Sequence, residues 1–157
     1  MARPKVLKCV LCGKEFEPSK DRYVCHVCGL DGTLDVIYET DEVKKSLTKE
    51  SLASDRDMTL WRYRAMLPVE DDKNIPPLAV GWTPLYKNRL VAEEYGVKEF
   101  YIKDDGRNPT ASLKDRASAV GVAKALDFGA QTVACASTGN AASSLSGFAA
   151  VMGLKSY

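Results

Sequence analysis

Two cysteine pairs open the chain, Cys9-x2-Cys12 and Cys25-x2-Cys28, with twelve residues between them and a glycine after each pair (Gly13, Gly29). No other feature limits the fold of the first 40 residues so tightly. Four thiols at these separations can share one tetrahedral zinc, and the glycines let the backbone turn so that its amides face the sulfurs. Redox pairs or free thiols are the alternative, and they leave the matched second pair unexplained. A site with four protein ligands, Cys9, Cys12, Cys25 and Cys28, has no open position, so its zinc is structural rather than catalytic. His26 lies inside the second knuckle as a bystander, and Cys135 stands alone in an apolar run.

Composition limits the size and class of the fold. A chain of 157 residues with 45% hydrophobic content supports one ordinary core, or a small core with a satellite module. Twenty-two basic against twenty-one acidic residues leave a net charge of +1, which gives no pull toward nucleic acid or an anionic membrane. No apolar run approaches the roughly 18 residues of a membrane span, and the N-terminus lacks a signal-peptide pattern, so a cytoplasmic protein is expected.

The organisation reads as three segments. Residues 1–40 are short, turn-rich and strand-like, ending in the alternating run Thr33–Tyr38, and form the expected zinc ribbon. Residues 41–84 are a connecting arm and loop. The arm is helical in character, with Val43, Leu47, Leu52, Leu60, Trp61, Tyr63 and Leu67 as apolar anchors. The four prolines between Pro68 and Pro84 exclude continuous helix there. Residues 85–157 carry α/β punctuation. A helix is expected over 88–95 with its stop at Gly96, then a strand over 99–103 and a polar loop over 104–111. Ser112-x-x-Asp115 reads as a capping box opening a helix whose apolar face is Ala119, Val120, Ala123 and Leu126, closed by Gly129. A short buried strand over 132–136, a helix over 139–152 ended by Gly153, and the start of a strand at Lys155 complete the sequence. This βαβ spacing predicts a parallel sheet.

Two loops carry chemistry. Asn108-Pro109-Thr110-Ala111-Ser112-Leu113-Lys114-Asp115-Arg116 delivers a lysine into the first turn of a helix, where the helix dipole disfavours a cation and so suits an amine that must often be neutral. A solvated surface lysine is the alternative. Ser137-Thr138-Gly139-Asn140 offers exposed amides at a helix N-terminus, an anion site or else an ordinary cap. Both loops are expected at the carboxyl ends of parallel strands, where open α/β sheets bind ligands.

The lysine loop resembles the Asn-Pro-Thr-Gly-Ser-Phe-Lys-Asp-Arg signature of the threonine synthase family, and Ser137–Asn140 resembles the asparagine loop of fold-type II pyridoxal-phosphate (PLP) enzymes. Leu60-Trp61-Arg62-Tyr63-Arg64 with Leu67-Pro68-Val69, and Gly81-Trp82-Thr83-Pro84-Leu85, look like two further segments of that family, some branches of which carry a zinc ribbon. The match spans nearly the whole chain. The resemblance implies a three-layer α/β fold around a parallel sheet, with PLP bonded to Lys114 and its ring held by Asn140. It implies that Ser137, Thr138 and Gly139 line the substrate carboxylate site. The implied reaction turns O-phosphohomoserine and water into threonine and phosphate, in a homodimer acting on a small amino-acid substrate. In the family the PLP phosphate loop and the pyridine-nitrogen partner lie beyond the point matching Tyr157, so this chain is expected to be an N-terminal portion, inactive alone. Ala111 and Leu113 depart from the usual glycine and phenylalanine and bear on pocket shape. Lys103 is a phosphate contact or a surface lysine. Cysteate synthase is the nearest alternative reading. A zinc-ribbon module binding nucleic acid or protein is the alternative of another class, opposed by the near-neutral charge.

Overall fold

A computed structural model describes residues 4–20 and 22–157; residues 1–3 and Asp21 of the expected ribbon lie outside the described residues. The chain divides into two compact units, Met1–Arg56 with Trp61–Glu70, and Asp57–Leu60 with Asp71–Tyr157.

The first unit is built on an antiparallel sheet of β1 (Pro4–Cys9), β2 (Glu15–Phe16), β3 (Val24–Cys25) and β4 (Gly29–Tyr38), in the order β2-β1-β4-β3. Pairing of Leu7 with Val36 and of Cys9 with Leu34 sets the register of the central pair. Cys9, Phe16 and Cys25 form its buried centre, with Leu7, Cys28 and Leu34 packed around them. Gly13 and Gly29 turn the two knuckles at φ of 72° and 66°, values that side chains with a Cβ adopt at a cost. Two short helices follow, α1 (Thr40–Ser46) and α2 (Lys49–Ser54); in α2 the Ser51 amide donates to Thr48 Oγ1 and the Thr48 amide to Ser51 Oγ. The segment Leu60–Met66 is 3-10 helix kinked at Tyr63. Trp61 is buried as expected of an anchor, while Val43, Leu47, Leu52 and Leu67 are half-buried and Tyr63 is exposed.

In the second unit β5 (Leu85–Lys87) pairs with β6 (Tyr101–Lys103), and α3 (Arg89–Glu94) lies between them in sequence, capped by Asn88 Oδ1. This pair is antiparallel, with Tyr86 opposite Ile102, which corrects the expectation of a uniformly parallel sheet. Leu85–Lys87 follows Pro84 directly and is exposed throughout, so no alternation of burial marks it as a strand. The parallel pattern holds downstream. After α4 (Asp115–Asp127) comes β7 (Thr132–Val133), then α5 (Asn140–Val151), then β8 (Lys155–Ser156), with Thr132 opposite Lys155 in a parallel ladder.

The helices α4 and α5 pack on each other. Ala119, Val122 and Ala123 are buried on α4, and Ser144, Phe148 and Ala149 on α5. Val122 thus stands at the centre of the α4 face, while Val120 and Leu126 are half-buried. Gly129 and Gly153 end the helices at φ of 74° and 73°. The strand expected to be buried over 132–136 is shorter and more open, because β8 is its one strand partner among the described residues. No helix among the described residues is long and apolar enough to cross a membrane.

Candidate functional site

In the first unit the Sγ atoms of Cys9, Cys12, Cys25 and Cys28 all lie within 4.8 Å of one another. Cys12 Sγ and Cys25 Sγ are 3.7 Å apart. Zinc–sulfur bonds of about 2.3 Å in a tetrahedron put sulfurs about 3.8 Å apart, whereas a disulfide needs about 2 Å. All four cysteines are free. A hydrogen bond from the Cys12 backbone draws the Cys9 thiol down to about 7, while hydrogen bonding with the Cys12 side chain, followed by burial, pushes Cys28 up to about 12. Four thiolates cannot crowd together without a cation, so the donor set fits a metal ion. Gly32 makes room for it. A Cβ there would lie 2.6 Å from the Cβ of Cys25 and 2.8 Å from that of Cys28. Its backbone is not left-handed, so space alone demands glycine, and nothing in the Cys-x2-Cys spacing announces the residue.

In the second unit the lysine loop is held from both ends. The buried Asn108 accepts the Gly81 amide at Oδ1 (2.9 Å), donates from Nδ2 to the Asp105 carbonyl (2.9 Å), and offers its own carbonyl to the Ala111 amide (2.9 Å). Ala111 sits at φ 58°, in the left-handed region that a glycine adopts freely. The expected capping box does not form. The Lys114 amide donates to Ser112 Oγ at 3.1 Å, and Asp115 turns back to accept the Thr110 amide at 2.7 Å and the Thr110 hydroxyl. Ser112 makes a short-range turn because Lys114 is already helical (φ −63°, ψ −21°), which leaves the Asp115 carboxylate to the loop.

Lys114 stands at the N-cap of α4, exposed, and its ammonium has no hydrogen-bond or ion-pair partner among the described residues. Four other lysines of this unit are engaged, Lys73 with Asp71, Lys87 with Glu99, Lys124 with Asp127, and Lys103 with the Thr83 carbonyl at 2.5 Å, while Lys98 and Lys155, off the signature loop, are as open as Lys114. A free primary amine is what condensation with an aldehyde requires, so the loop fits PLP chemistry. Ser137, Thr138, Gly139 and Asn140 are all exposed at the start of α5, and no atom stands within 4 Å of a Cβ built on Gly139. The Gly139 amide reaches Ser137 Oγ at 3.2 Å. The two loops share a scaffold, since Thr110 Cγ2 lies 2.9 Å from where a Cβ on Gly147 of α5 would be.

Residues 77–157, just over half of the chain, match the family described as pyridoxal-phosphate dependent enzyme. The chain belongs to that family. It is 42% identical over 148 residues to threonine synthase of Methanocaldococcus jannaschii, an alignment covering 94% of this chain and 36% of the relative. Against threonine synthase of Methanosarcina acetivorans it is 43% identical over 150 residues, 94% of this chain and 35% of the relative. With threonine synthase of Halalkalibacterium halodurans it shares 40% identity over 103 residues, 62% of this chain and 29% of the relative. The chain thus spans about a third of the length of the curated relatives it matches over 94% of its own length.

A charged brace on Asp105 joins Arg116, the last residue of the lysine loop in this PLP-family chain, to Thr83 of the Gly81–Leu85 segment. Arg116 donates from Nε to Asp105 Oδ2 (3.0 Å) and from its NH2 group to Asp105 Oδ1 (2.8 Å), while the buried Thr83 hydroxyl donates to Asp105 Oδ1 at 2.6 Å. These bonds, Arg116's first, hold the Asp105 carboxyl at about 2. An unfolded aspartate titrates near 3.9, so this stabilisation is fully present above about pH 4 and is lost as pH falls toward 2. With its side chain only 23% exposed, Asp105 contributes about 2 kcal/mol at neutral pH. Asp105→Asn is expected to lower stability by that amount at pH 7 and to flatten the acid limb in urea titrations. A mutant whose stability falls between pH 7 and pH 2 by as much as the wild type's would contradict the assignment.

Proposed function

We propose that the full protein carrying this chain is a threonine synthase, converting O-phosphohomoserine and water to threonine and phosphate. The carrying observation is the 42% identity to a threonine synthase across 94% of this chain. The unpartnered amine of Lys114, on the signature loop, supports the residue assignment.

Bound PLP supplies an electron sink for the charge left when the substrate loses its α-proton. Lys114 anchors the cofactor through Nζ and, once released, holds and returns the proton at the same atom. The Ser137, Thr138 and Gly139 segment binds the substrate carboxylate through amides at the N-terminus of α5, and Asn140 orients the cofactor ring. Cys9, Cys12, Cys25 and Cys28 hold a structural zinc that organises a ribbon over residues 1–40, joined by the 41–84 arm to a three-layer PLP domain that begins at residue 85. The full enzyme is proposed to be a cytoplasmic homodimer.

Phosphate release tests the substrate. The full-length protein should release phosphate from O-phosphohomoserine in step with threonine formation, and should show no turnover of O-phosphoserine with sulfite. The reverse preference would replace threonine synthase by a cysteate synthase.

A further inference from the structure

Asp115 is the one fully buried carboxylate of the lysine loop, at 0% exposure, and no cation neutralises it among the described residues. Its two oxygens are occupied instead by the amide and the hydroxyl of a single residue, Thr110. Burying a carboxylate against neutral donors costs several kcal/mol relative to water, offset in part by its place in the first turn of α4. A cap of neutral side chains would close the same turn at less cost. The ring from Thr110 to Asp115 encloses Ala111 at φ 58° and the Ser112 hydroxyl that receives the Lys114 amide. A left-handed alanine costs about 1 to 2 kcal/mol and persists only where its surroundings over-determine it. The Asn108 carbonyl holds the Ala111 amide, and the Asp115 carboxylate reaches back across Ala111 to hold Thr110.

We infer that Asp115 is a positioning residue for Lys114: through Thr110 it holds the strained loop closed, so that the free amine is presented in one direction. This rests on the proposed attachment of PLP to Lys114. With Asp115 fully buried and both its oxygens bonded to Thr110, its effect on Lys114 passes through residues 110–114. Thr110 in turn bears on α5 at Gly147, so the clamp also ties the lysine to the helix that the asparagine loop opens.

The test uses full-length protein, PLP as the probe, and borohydride reduction followed by peptide mapping. Labelling of Lys114 is expressed relative to Lys98 and Lys155, two unpaired lysines of the same unit that serve as internal references. Thr110→Val removes only the hydroxyl bond and should lower that ratio about tenfold or more, because small misplacements of a reacting group carry large rate penalties. Thr110→Ser keeps the hydroxyl and should restore the ratio to within about twofold of wild type. Asp115→Asn should behave like Thr110→Val; if it does not fold, the valine and serine pair decides. A folded Thr110→Val protein with the wild-type ratio overturns the inference, as does a serine variant that fails to restore it. Loss of Lys114 preference in the wild type itself would instead overturn the attachment site, and the clamp's role with it.

Discussion

Stripping the proposed zinc with a strong chelator should unfold the sheet of β1 to β4 while leaving the helices α4 and α5 in place. The ribbon has almost nothing else to hold it. Among the described residues Phe16 is the one large apolar side chain buried at its centre, with Leu7 and Leu34 partly buried beside it. A structural zinc contributes about 10 to 16 kcal/mol of apparent binding energy, more than those few side chains can return. Metal analysis should give one zinc per chain, and amide exchange in β1 and β4 should accelerate to the unfolded rate on chelation. Cys9→Ser and Cys25→Ser should do the same without chelator. Unchanged protection of β1 and β4 in metal-free protein would show that the ribbon folds by packing alone.

The second large effect is expected at Lys114. Lys114→Ala in the full-length protein should lower kcat by at least about 10³-fold, since it removes the group proposed both to anchor the cofactor and to carry the proton. Stability should change by less than about 0.5 kcal/mol, because the side chain is exposed and makes no bond among the described residues. Reduction with borohydride should place the pyridoxyl group on Lys114 in the wild type and release it free from the mutant. Its recovery on Lys103 or Lys124 would move the anchor elsewhere. This separation of activity from stability is the opposite of what Asp105→Asn should show.

How far these features were legible in the sequence depended on whether their cause was local. The cysteine spacing announces the four-thiol cluster because the sulfurs are gathered by two tight turns, each marked by its own glycine. The helices α4 and α5 were readable from small apolar residues at helical spacing and from Gly129 and Gly153 at their ends. The pairing of Leu85–Lys87 with Tyr101–Lys103 was not, because both strands are three residues long and exposed, leaving no period to detect. Ser112 and Asp115 have the spacing of a capping box, yet Thr110 takes the carboxylate that such a box would turn to the Ser112 amide. The Asp105, Arg116 and Thr83 brace joins residues up to 33 positions apart, and no local pattern encodes such a contact.

Gly32 extends the cost of the four-thiol cluster beyond its ligands. The residue supplies no sulfur, yet alanine there would place a methyl carbon inside the contact distance of two cysteine Cβ atoms. A mutational scan scored for growth would therefore group Gly32 with the cysteines, and apart from Gly13, where the added carbon meets open space and only the turn is strained. Drift in the ribbon is then limited by volume at one position and by handedness at another. Two glycines that look interchangeable in the sequence tolerate different kinds of replacement.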